Sequence, residues 1–179
     1  HNHTGEYFYY LSLIRQGIEG NILLTSRMTP EHFSPALAQT FFAVLGWTAK
    51  ILGIDNIAIY FLSRIITGGL LLFAIIFLAR KVFKQNKSII LASFLAIFST
   101  GFWIPTADKA KALGVLQYLT HWTKLDTIIR TTYLPHHLLS TFLGIISIIL
   151  LSSALKAKSW QKGIAAGILA ALGGFVYFA

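Results

Sequence analysis

The chain has 179 residues, 55% of them hydrophobic and only 12% charged, with a mean hydropathy of +0.68, whereas a water-soluble domain of this size carries about 25% charge. Lys and Arg number 15 against six Asp and Glu, a formal charge of +9, but apolar runs separate the cations, which points to membrane topology and not to a nucleic-acid surface. Absence of cysteine excludes disulfides, thiolate metal sites and a cysteine nucleophile, and leaves serine, histidine and carboxylate chemistry open.

The chain starts at His1 and ends in an apolar run, and reads as a fragment truncated at both ends, with any targeting element upstream. A first helix is expected from Glu6 to Glu19, with Tyr7, Tyr10, Leu11, Ile14 and Ile18 at helical spacing on one face and Gly20 ending it. Asn21 to Phe33 is polar and turn-rich. A second helix is expected from Pro35 to Leu52, capped by Ser34 and stopped by Gly53, with Trp47 and Lys50 suited to a headgroup boundary. Its 18 residues reach about 27 Å, nearly enough to cross a bilayer. Crossing would force the basic connection from Arg80 to Lys87 to the outer face, so it reads as an interfacial helix.

Four spans follow, at about 57–79, 88–104, 137–155 and 163–179, each near the roughly 20 apolar residues that a crossing needs. Gly167, Gly173 and Gly174 in the last permit close helix packing in lipid. Arg80, Lys81, Lys84 and Lys87 lie between the first two spans, and Lys156, Lys158 and Lys162 between the last two, with no acid in either connection. The positive-inside rule turns both to the cytoplasm and places residues 1–56 and 105–136 outside. The expected fold is all-α, a multi-pass plasma-membrane bundle: an outer segment, 1–56, with two juxtamembrane amphipathic helices, then a transmembrane region, 57–179.

This topology gathers the acids and all six histidines at one boundary. Glu6 begins the first helix, where a carboxylate is favoured by the helix dipole; partly desolvated by Tyr7 to Tyr10, it also suits a general base toward a hydroxyl, with Tyr10 one turn on along the same face. Arg27, Glu31 and His32 form either a solvated loop or a cluster for a metal ion or lipid phosphate. Arg64 lies about 10 Å below the outer end of its span, where it either snorkels or meets an anionic phosphate. His136 and His137 either mark the membrane edge or contribute to a site, with His136 the candidate metal ligand alongside Glu31. Asp108 and Asp126, in the second outer loop, are further candidates.

The order of these features resembles the GT-C superfamily of multi-pass glycosyltransferases, in particular the branch with protein O-mannosyltransferases and lipid A aminoarabinose transferases. The likeness covers about Gly5 to Phe83. It rests on Glu6, Tyr10 and Arg15 in the first helix, on Glu31-His32 with Pro35, on the second helix, on Gly53-Ile54-Asp55-Asn56, and on a span ending in Arg80-Lys81. The leading acid is Glu6 where that family usually has Asp, and His32 stands where it usually has Lys. The resemblance implies an inverting transfer of sugar from a polyprenyl-phosphate carrier to a hydroxyl on an acceptor glycan, lipid or protein at the extracytoplasmic face. Glu6 would be the base, and Tyr10, Arg27, His32 and Arg64 would bind substrate or phosphate, with a divalent metal ion or cationic side chains stabilising the departing phosphate. The competing classes are a non-catalytic transporter, which needs more ionisable groups at mid-membrane than Arg64 alone, and an assembly subunit.

Overall fold

The computed structural model describes residues 4–27, 39–98 and 134–177, with side chains from Tyr7 onward. The described residues form six α-helices and no strand: α1 (Thr4–Ile18), α2 (Thr40–Leu52), α3 (Asn56–Val82), α4 (Asn86–Phe98), α5 (Pro135–Ala157) and α6 (Trp160–Tyr177). The all-α expectation is met.

The α1 helix is amphipathic as expected, but its buried face is wider than the expected stripe. Besides Leu11 and Ile14, it buries Leu13 and Gln16, because α2 and α3 both pack against it. Gly20, at φ +99, ends it by donating from its N–H to the Gly17 carbonyl, while the Asn21 N–H reaches the Gln16 carbonyl; only glycine adopts this backbone without cost. The chain then turns back along α1, held by a buried amide: Gln16 Nε2 donates to the Thr25 carbonyl at 2.9 Å, and the Thr25 N–H donates to Gln16 Oε1 at 3.0 Å.

The crossing of α1 and α2 is made by two glycines. A Cβ at Gly17 would stand 2.6 Å from the Ala43 carbonyl oxygen, and one at Gly46 would collide with the Ile14 carbonyl. The backbones therefore touch, and Leu11, Leu13, Ile14, Phe42, Ala43 and Ala49 form a core with Ile59 and Tyr60 of α3. The second helix starts at Thr40 and not at Pro35 as expected, because Gln39 before it takes a left-handed backbone that no continuous helix allows; Gln39 donates to the Tyr9 hydroxyl, and Ser34 and Pro35 lie outside the described residues. At 13 residues, α2 extends about 20 Å and is too short to cross a bilayer. Gly53 stops it in a left-handed conformation, as expected, and Asp55 then caps α3 by accepting from the Ala58 N–H at 2.6 Å. Asn56 Nδ2 donates to the Leu11 carbonyl at 3.3 Å, pinning the start of α3 to α1.

Among the described residues two helices are long and apolar enough to cross a membrane: α3 with 27 residues and α5 with 23. Only 28% and 22% of their most apolar windows are buried within the chain; the core helix of a soluble protein would be mostly covered. The other two expected spans are not supported to the same degree. The described part of α4 has 13 residues, residues 99–104 lying outside the described set. The 18 residues of α6 begin with Trp160, Gln161 and Lys162, which dilute its apolar character.

Both α3 and α5 begin against the α1–α2 pair and pack on each other. After α5, Lys158 at φ +49 turns the chain into α6, which returns until Tyr177 lies beside His137. The antiparallel α5–α6 pair is held by serines: Ser140 Oγ donates to the Gly173 carbonyl and Ser147 Oγ to the Ala166 carbonyl, each at 2.8 Å. Of the glycines expected to allow close packing, Gly173 does so, with Leu143 Cβ and the Ser140 carbonyl 3.4 Å from where its own Cβ would be; Gly167 and Gly174 face open space.

Candidate functional site

The N-terminal ends of α3 and α5 meet α1 and α2 in a cluster of aromatic rings around a buried histidine. Pro135 opens α5, and His136 follows it in the first turn at 2% exposure. Its imidazole lies 5.3 Å, centre to centre, from both Tyr10 and Phe42, and 6.4 Å from Phe41. Tyr10 is set by stacking on Phe42 at 4.6 Å with 20° between the planes. Adjacent residues on a helix diverge by about 100°, yet the rings of His136 and His137 lie 4.3 Å apart, and His137 meets Tyr177 edge-on at 4.8 Å.

On the neighbouring side Tyr7 packs against Tyr60 at 5.3 Å and Phe61 at 6.2 Å. One turn further along α3, the Arg64 guanidinium lies 5.9 Å from the centres of both the Tyr60 and Phe61 rings. A cation held on aromatic faces is stabilised by their quadrupoles, and both rings belong to the N-terminal turns of α3, so the guanidinium is turned back toward that end of the helix. Glu6 belongs to α1, four residues before Tyr10 and so about 6 Å along the axis on the same face; its side chain lies outside the described residues.

Tyr10 and His136, expected separately, are thus brought together, with His137 beside them and Arg64 on the adjoining aromatic pair. Arg27 is not part of this corner. It pairs with Glu19 at 3.1 Å, Glu19 also facing Arg15 at 3.7 Å, just past the C-terminus of α1 and roughly 13 Å along the helix from Tyr10. Glu31, His32, Asp108 and Asp126 lie outside the described residues. Among the described residues no three His, Asp or Glu groups stand close enough to hold a metal ion, so no step through a metal is derived.

Sequence reasoning did not find the rings that shape the corner. Tyr60 and Phe61 carried a signal, as aromatic residues in the first turns of an expected span, where such rings are enriched. Phe42 and Tyr177 carried none: each reads as an ordinary apolar position until its partner is known.

The opposite ends of α3 and α5 lie about 40 Å and 34 Å away along their axes. There the exposed cations Arg80, Lys81, Lys84 and Lys87 and the exposed Lys156 and Lys158 adjoin the two turns. Among the described residues there is therefore an aromatic, histidine-bearing end and a lysine-rich end. Comparison with protein-family models, with curated proteins and with solved structures finds no match to this chain.

Proposed function

We propose that the chain is part of a multi-pass plasma-membrane glycosyltransferase that moves a sugar from a polyprenyl-phosphate carrier to a hydroxyl acceptor on the extracytoplasmic face. The observation that carries this reading is the juxtaposition of Tyr10 and His136 at 5.3 Å, one helical turn from Glu6, at the end opposite the lysine-rich turns. The positive-inside rule puts that end outside, at the depth of a carrier's phosphate.

In this reading Glu6 takes the proton of the acceptor hydroxyl, whose oxygen attacks the anomeric carbon from the face opposite the leaving group. The bond from that carbon to the phosphate oxygen breaks, the configuration inverts, and the lipid phosphate leaves with the electron pair. Arg64, held on Tyr60 and Phe61, supplies positive charge for the departing phosphate. Tyr10 and the imidazole of His137, both half-buried, offer hydrogen-bond donors and acceptors to sugar hydroxyls, while the buried His136 positions Tyr10, and the rings of Tyr7 and Phe61 suit the apolar face of a sugar.

The test is transfer from radiolabelled polyprenyl-phosphate sugars in membranes carrying the protein. Glu6→Gln keeps the size of the side chain and removes the base; transfer should fall by about 100-fold or more. Arg64→Gln should lower transfer at saturating donor. Full turnover in Glu6→Gln would remove the base from the scheme, and absence of transfer with every polyprenyl donor would remove the scheme.

A further inference from the structure

An apolar groove of about 410 Å³ runs along the C-terminal half of α3, between α4 and α5, a volume within the roughly 300–1,000 Å³ of ligand sites. On α3 it extends from Leu71 to Phe83, about 18 Å of helix. That is close to one leaflet of a hydrocarbon core about 30 Å thick. The groove exists because α4 presents the small side chains of Ala92 and Ala96 to it, while Thr141 and Ile145 form the wall on α5.

The groove ends where the charge begins. Arg80, Lys81, Lys84 and Lys87 are all exposed on either side of Phe83, the last lining residue on α3, and residues 56–98 contain no acid. Among the described residues none of these four cations forms an ion pair; the ion pairs there are those of Glu19 with Arg15 and Arg27. An apolar slot one leaflet deep, with uncompensated cations at its headgroup end, matches a ligand with a long hydrocarbon chain and an anionic head.

We propose that this groove holds one acyl chain of an anionic glycerophospholipid of the lysine-rich leaflet, its phosphate bound by Lys84 and Lys87. The site is distinct from the aromatic corner and lies at the other end of α3. It rests on the membrane reading and is independent of sugar transfer, so its test needs no turnover.

The probe is phosphatidylglycerol. The protein is placed in nanodiscs of equimolar phosphatidylglycerol and phosphatidylcholine, released, and weighed intact by native mass spectrometry. The wild type should retain one phosphatidylglycerol in preference to phosphatidylcholine. Ala92→Phe fills the groove and leaves every cation, and should lose that lipid. Lys84→Gln with Lys87→Gln leaves the groove, changes only exposed side chains, and should reduce the preference about tenfold. Retention of phosphatidylglycerol by Ala92→Phe at the wild-type level would overturn the proposal in favour of headgroup adsorption alone. Equal retention of both lipids by the wild type, or a lipid-free dimer in their place, would overturn it as well. Should Ala92→Phe lose helical content by circular dichroism, the double glutamine variant decides: an unchanged preference there sinks the proposal.

Discussion

The ring of Tyr10 lies 5.3 Å from that of His136, although one belongs to α1 and the other to α5. Phe42 stands against both, at 4.6 Å from Tyr10 and 5.3 Å from His136, so three helices share one aromatic contact. Tyr10→Ala should therefore destabilise the fold by about 3–5 kcal/mol, the usual cost of truncating a large packed ring. A double-mutant cycle of Tyr10→Leu with Phe42→Leu isolates the stack itself and should give a coupling of about 0.5–1.5 kcal/mol, read from denaturant unfolding in detergent micelles. A coupling near zero would mean that the two rings do not stack in solution.

The α1–α2 crossing predicts a steric effect confined to two positions. Gly46→Ala and Gly17→Ala each force a methyl group into the facing backbone, which cannot yield as a side chain can, and each should cost about 1–3 kcal/mol. Gly174→Ala is the control, since nothing lies within 4 Å of the added atom. Thermal melts of the three variants check this: the first two should fall by several degrees and the control should stay with the wild type.

Gln16 is buried at 2% exposure and bonds both backbone groups of Thr25. Gln16→Leu keeps the bulk and strands those groups, at about 1–3 kcal/mol. The amide of Thr25 should also exchange with deuterium much faster, while amides in α5 and α6 should not change. Unaltered protection at Thr25 would refute the clamp.

The serines between α5 and α6 should matter modestly. Hydrogen bonds between helices in lipid average about 0.6 kcal/mol, so in the proposed bilayer Ser140→Ala and Ser147→Ala should each cost roughly that much and their effects should add. Gly173→Leu should exceed both together, because its Cβ position already has neighbours at 3.4 Å.

Sidedness can be read directly, because the chain contains no cysteine. A single cysteine introduced at Glu19 should react with an impermeant maleimide on intact cells, and one at Lys84 only after the membrane is opened. Both positions are exposed. Labelling of the two from the same side would remove the proposed outward-facing site.

Much of the helix plan is visible in the residues. The expected limits of the first helix, Glu6 to Glu19, stand against Thr4–Ile18, and those of the first span, 57–79, against Asn56–Val82. Local signals account for this: Gly20 and Gly53 stop helices, Asp55 caps one, and apolar periodicity fills the intervals. The corner was legible only as parts. Tyr10 and His136 each stood out as a polar ring near a boundary, but their meeting depends on the backbone contact at Gly17 and Gly46, and nothing local announces that contact. Arg27 shows the converse. Near Glu31 and His32 in sequence, it reads as part of their cluster, while the turn held by Gln16 brings it to Glu19, a partner eight residues back that its sequence neighbours do not suggest.

The seam between α5 and α6 bears on biogenesis. In the proposed bilayer, α6 is a weak candidate for independent partitioning, with Gln161 and Lys162 at its start. Its partner offers what lipid tails lack: hydroxyls for two of its carbonyls and a notch fitted to Gly173. The two segments are thus suited to enter the membrane as one hairpin, and a nascent chain lacking α5 would leave α6 stranded at the interface.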